Sequence, residues 1–80
     1  MMVELYFSDR YENDTLIAVC SAEHVIKHIQ NFINKCNEGK VHPFVMHYCR
    51  TWKDKNNDKK IWYDVGSHSE FFYTIEVEDE

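Results

Sequence analysis

SAEHVIKHIQNFINKCNEG, residues 21–39, is the stretch that decides the fold. Val25, Ile29, Phe32, Ile33 and Cys36 recur at i, i+4, i+7, i+8 and i+11, with Ile26 at the margin. That spacing lays one apolar stripe along a helix of about four turns. Ser21 stands where an N-cap is needed, and Glu23 complements the dipole in the first turn. Asn37-Glu38-Gly39 ends the element, with Gly39 suited to the left-handed position after the last turn. A lone helix with one apolar face needs a sheet to lie on.

Working outward, both flanks supply strands. VELYFS alternates with period two and puts Val3, Leu5 and Phe7 on one face. DRYENDT reads as a turn and TLIAVC as the returning strand, so the chain opens with a hairpin. Downstream, Pro43 marks the entry to FVMHYCRTW, which faces IWYDV across KDKNNDKK. Placing Asn56-Asn57 at the tip sets Lys55 opposite Asp58 and Asp54 opposite Lys59, two favourable cross-strand pairs. Trp52 then faces Ile61, Arg50 faces Tyr63, and Tyr48 faces Val65. In that register Phe44, Met46, Tyr48, Trp52, Ile61, Tyr63 and Val65 point to the core, and His47, Cys49, Trp62 and Asp64 point away. FFYTIEVE is the last strand, with Phe71, Tyr73, Ile75 and Val77 read as inward and Phe72, Thr74 and Glu76 as outward. The order is β-β-α-β-β-β, or β-β-α-β-β if the GSHS kink is only a bulge. The expected class is α+β: one domain over residues 1–80, an antiparallel sheet of four to five strands with one helix packed on one face.

Such a fold leaves one sheet face uncovered, and the register places Trp62, Phe72 and Tyr6 there, near His47 and Asp64. Large aromatics on an open sheet face mark an interaction surface. These five residues are the candidate partner-binding set. A one-residue slip would send the rings inside instead. Stacking of nucleic-acid bases is the other use of such a face. Net charge is −5, however, with acids gathered at both ends (Glu4, Asp9, Glu12, Asp14; Glu76, Glu78, Asp79, Glu80). That balance disfavours a phosphate backbone and suits a protein with a basic surface, or a second copy of this chain. The basic tip KDKNNDKK carries its own aspartates and reads as a self-paired turn.

WYDVGSHSEFF raises the sharper question of chemistry, because Ser67, His68 and Ser69 stand beside Asp64 and Glu70. A hydrolytic triad is defined by convergent geometry and an oxyanion hole, which neighbours on a tight bend rarely supply. No G-x-S-x-G elbow is present. Gly66 is read as the residue that permits the bend, with the serines bonding the turning backbone. The alternative is a small-ligand or nucleotide loop over Gly66–Ser69, using Ser67, His68, Ser69 and Arg50. His24 and His28 mimic HExxH spacing, but Val25 occupies the place of the general base. His47, Cys49 and Asp64 make an incomplete metal set, so neither metal nor cofactor is expected. Cys20, Cys36 and Cys49 show no CxxC spacing and read as reduced thiols. No run approaches the ~18 apolar residues of a membrane span, and MMVELYFSDR lacks the features of a secretion signal. The expected compartment is the cytoplasm.

The run TWKDKNNDKKIWYDVGSHSEFFYT, residues 51–74, resembles the C-terminal half of short, largely uncharacterised proteins encoded by bacteriophages and prophages of low-GC Gram-positive bacteria. The pairing of a Trp-bearing hairpin with WYDVGSHSEFF carries the resemblance, which covers about the last third of the chain. It brings no catalytic residues with it. It implies a small accessory or counter-defence protein acting by binding a host protein, in the host cytoplasm. The expectation is therefore a non-enzymatic binding module.

Overall fold

The computed structural model describes residues 1–8, 13–39, 46–66 and 71–77. Its elements are β1 (Met2–Ser8), β2 (Asp14–Ser21), α1 (Val25–Cys36), β3 (Arg50–Lys53), β4 (Lys60–Asp64) and β5 (Phe71–Glu76). A 3₁₀ turn, Ala22–His24, leads into α1. Ser21 has the extended backbone of an N-cap but makes no capping side-chain bond. Gly39, at φ +75°, takes the left-handed conformation after the helix. The order is β-β-α-β-β-β, the class is α+β, and one antiparallel sheet runs β2-β1-β5-β4-β3.

The helix covers one face. Val25, Ile29 and Ile33 are fully buried there, with Val3, Leu5, Val65 and Phe72. Phe7, Phe32 and Phe72 form a three-ring knot, at 5.1 Å for Phe7–Phe32, 5.3 Å for Phe7–Phe72 and 5.8 Å for Phe32–Phe72. Each side chain so buried contributes roughly 1.5–3 kcal/mol relative to exposure. At Leu5/Tyr6 the β1–β2 register shifts, and Ile17 is the extra residue on β2. The bulge lets Leu16, opposite Tyr6, and Val19, opposite Glu4, share the uncovered face.

Two expectations about side are overturned. In β5, Phe72 and Thr74 are buried, at 0% and 2% exposure, whereas Phe71, Tyr73 and Ile75 take the other face. Phe72 therefore leaves the partner-binding set. It sits opposite Phe7 on one side and Tyr63 on the other, both on the helix face.

In β3 the register differs by one residue: Trp52 faces Trp62, Arg50 faces Asp64, and Thr51 faces Tyr63. Trp52 and Tyr48 are accordingly exposed rather than core, and Asp64 lies opposite Arg50 instead of Cys49. The cause is the turn. Asp54 Oδ2 accepts from the Asn56 amide at 2.9 Å, and Asn57 Oδ1 from the Lys59 amide at 3.0 Å. These two side-chain turns hold residues 54–59 as a loop between Lys53 and Lys60, in place of a tight turn with cross-strand charge pairs. Phe44 and the GSHS serines and histidine (Ser67, His68, Ser69) lie outside the described residues.

Candidate functional site

On the uncovered face, cross-strand pairing lines up one residue from every strand. Leu16, Tyr6, Tyr73, Trp62 and Trp52 form a row across β2, β1, β5, β4 and β3. At the usual strand spacing the row spans about 19 Å. Its rings touch in series. Tyr6 stacks on Tyr73 at 5.0 Å and 17°, and Tyr73 meets Trp62 at 5.0 Å and 57°. Phe71 then stands nearly perpendicular to both indoles, 6.4 Å from each, at 89° to Trp62 and 81° to Trp52.

A carboxylate meets each polar tip in the middle of this row. Tyr73 Oη donates to Asp14 Oδ2 at 2.6 Å, Tyr6 Oη to Glu4 Oε1 at 3.2 Å, and Trp62 Nε1 to Asp54 Oδ1 at 2.9 Å. Burial, then the neighbouring Asp14, pushes the Tyr73 phenol far above its ordinary value. Donation from the Trp62 indole, followed by the Asn56 amide, holds the Asp54 carboxyl below the usual range. Cations occupy ring faces: Lys60 Nζ lies 4.5 Å from the Trp62 centroid and 4.2 Å from that of Tyr73, and the Arg50 guanidinium 5.1 Å from that of Tyr48.

At the end of β4, Asp64 ties the bend to this face. Its Oδ2 accepts from Arg50 Nη2 at 2.6 Å and from Tyr48 Oη at 3.4 Å, and its Oδ1 from the Gly66 amide at 3.0 Å. The Arg50 hydrogen bond, then the Gly66 amide, holds the Asp64 carboxyl below the usual range. Gly66 has φ +89°, and a Cβ there would come within 3.0 Å of His47 Cβ and of the Tyr48 ring. The sequence therefore needs glycine at position 66, which Asp64 ties to the end of β4. Among the described residues, no buried side-chain polar atom lacks a partner.

Of the sequence-derived partner set, Tyr6 and Trp62 are in the row, both half-buried by their neighbours. Asp64 is buried beneath Arg50. His47 is exposed in the lead-in to β3, its amide bonded to Val65 O at 2.9 Å. Arg50, a member of the alternative ligand loop, is engaged by Asp64 instead. Sequence reasoning missed Trp52, Tyr48, Tyr73 and Phe71. The signal that finds Trp52 is Trp62 itself: aromatic pairs directly across strands are favourable, and setting one indole opposite the other yields the observed register.

Both ends of the row stay open to solvent: Leu16 and Val19 on β2, and the β3 end. Trp52 is 45% and Tyr48 47% exposed, and the Arg50 side chain 69%. Between Trp52, Trp62 and Phe71 lies a shallow apolar notch of about 240 Å³. A larger groove of about 490 Å³ runs on the helix side, lined by Ile17, Phe32, Cys36, His28, Asn31 and Lys35. The thiols whose surroundings shift them, Cys20 and Cys49, are both pushed up, by desolvation first, the wrong direction for a nucleophile. Among the described residues, no three His, Cys, Asp or Glu side chains gather as a metal site. No described helix is long and apolar enough to cross a membrane.

Comparison with protein-family models, with curated proteins and with solved structures finds no match for this chain.

Proposed function

We propose that this chain is a non-enzymatic module that binds a host protein, of the phage accessory or counter-defence kind, in the host cytoplasm. The observation that carries the reading is the exposed trio Tyr48, Arg50 and Trp52 at the β3 end of the aromatic face. Tyr, Arg and Trp are the residue types that dominate binding hot spots. Tyr6, Tyr73 and Trp62 pack on one another, so they present Trp52 from a rigid base at little entropic cost on binding. Its polar groups already have partners, which suits a surface that recognises shape and charge better than one that transfers protons. The chain's net charge of −5 favours a basic partner.

The test is affinity capture from a lysate of a low-GC Gram-positive bacterium, using wild type, Trp52→Ala and Ile26→Ala as baits. Ile26 is exposed on the helix, away from this face, and serves as the control. A protein held by wild type and control should lose about 2 kcal/mol or more of affinity for Trp52→Ala, roughly thirtyfold, with little change in melting temperature. Equal retention by all three baits would remove Trp52 from the interface. Self-association lost in Trp52→Ala, measured by sedimentation, would make the partner a second copy of this chain.

A further inference from the structure

We propose that the notch between Trp52, Trp62 and Phe71 is an aromatic cage for an alkylammonium group, presented by a lysine side chain of the partner. This deepens the binding-module reading and rests on it for the partner, though not for the chemistry of the notch.

The walls are two indoles paired directly across β3 and β4, and Phe71 stands nearly perpendicular to both. Rings set at right angles enclose a rounded group better than a flat one. Aromatic walls of this kind attract an ammonium ligand through the negative π faces of their rings. The face already uses this chemistry internally, with Lys60 seated on Trp62 and Tyr73, and Arg50 on Tyr48.

Electrostatics selects the cation over other occupants. The Trp62 indole donates its N–H to the Asp54 carboxylate at 2.9 Å, which makes that ring richer in electrons and a better cation acceptor. Two cations stand near the walls: Lys60 Nζ, 4.5 Å from the Trp62 centroid, is countered by the Asp54 carboxylate that the same indole bonds, and Arg50 is bonded to Asp64. A nucleotide would bring phosphate to a chain of net charge −5 that holds a carboxylate on one wall of the notch. An ammonium group brings the opposite sign.

The chain contains two tryptophans, so two indole N–H signals report on both walls in a ¹⁵N-correlated NMR spectrum. The probes are choline, its neutral isostere 3,3-dimethylbutan-1-ol, n-butylammonium and adenosine monophosphate, at matched ionic strength. Choline should move both indole signals and the Phe71 amide in a saturable way. The neutral isostere should bind at least about fivefold more weakly, since it fills the same space without the charge. Trp52→Ala should abolish the response, and Trp52→Phe and Phe71→Leu should weaken it, which keeps the test valid if one variant misfolds. Comparable binding of choline and n-butylammonium indicates plain lysine, and a preference for choline indicates methylated lysine; both support the cage. Equal binding of the neutral isostere reduces the notch to an apolar dent and overturns the proposal. So does a response to adenosine monophosphate without one to choline, which would make the face a base-stacking platform. Silence toward all four probes overturns it as well. If Trp52→Ala still loses its captured protein in that case, the binding module stands and only the cage falls.

Discussion

The two faces of this sheet are both aromatic, but they are built from different rings. Under the helix the knot is Phe7, Phe32 and Phe72, three rings without a polar atom. On the open face Tyr6, Tyr73 and Trp62 touch in series, each with a heteroatom that reaches a carboxylate, and Phe71 closes the series against the two indoles. The difference follows from water. A covered face must leave no donor stranded, so hydrocarbon rings serve it best. An uncovered face can bury ring bodies against one another while their tips stay polar. The open face is thus a second, shallow core with a wet rim and two exposed ends, Leu16 and Val19 on β2 and the aromatic pair Trp52 and Tyr48 at β3.

The contrast breaks most sharply at Phe72, which is fully buried in the knot. Phe72→Ala should cost roughly 3–5 kcal/mol, a large share of the stability of a domain this size. Urea unfolding followed by circular dichroism measures it directly. A loss below ~1 kcal/mol would mean that β5 shows its other side to the helix, as the sequence reading had it.

The joint between the faces comes next. Gly66→Ala places a Cβ at φ +89°, 3.0 Å from His47 Cβ and from the Tyr48 ring. Left-handed backbone alone costs an alanine roughly 1–2 kcal/mol, and the contacts add to it, so a total loss of ~2–3 kcal/mol is expected in the same unfolding assay. Because Tyr48 is one of the displaced neighbours, the variant should also weaken partner binding more than an equally destabilising change in α1. Equal effects would separate the bend from the site.

The parts of the molecule with a one-sided pattern were legible in the sequence. Val25, Ile29 and Ile33 form a single stripe, and they are the buried residues of α1. Val3 and Leu5 alternate with Glu4 and Tyr6, and β1 faces as that alternation implies. FFYTIE points the wrong way, since its more apolar parity, Phe71, Tyr73 and Ile75, lies on the open face and the helix face takes Phe72 and Thr74. Phe72 was therefore misplaced until its neighbours β1 and β4 decided the matter. Trp52 was lost for a different reason. Two side-chain turns, at Asp54 and Asn57, set the length of a loop whose charge pattern favoured a shorter one, and one residue of slip reverses a whole strand. Tyr6 and Trp62 survived in the candidate site because β1 and the β4 triplet Ile61, Tyr63, Val65 had clear sides.

The smallest effect expected is also the one that probes how the open end is held. Asp64 bonds Arg50, Tyr48 and the Gly66 amide, and its carboxyl is held below the ordinary range by those bonds, Arg50 first. The sign follows from which state binds the proton more tightly. A carboxyl depressed in the folded state stays ionised there when the unfolded chain's carboxyl, near ~3.9, has begun to protonate. The stability it contributes is complete above that value and is lost as pH falls through the lower, folded one. Asp64→Asn removes the charge but keeps an oxygen for the Gly66 amide. At neutral pH the variant should unfold at lower urea than wild type. The gap should narrow below pH ~4 and close as wild-type Asp64 itself becomes protonated. Asp54, also depressed, titrates in both proteins, so some acid sensitivity should remain in the variant. Arg50 is largely exposed, and added salt should shrink the neutral-pH gap further. A gap that stays constant from pH 7 to pH 2 would mean that Asp64 acts only through its oxygen geometry. The charge beside Tyr48 and Trp52 would then have no part in holding the β3 end open to a partner.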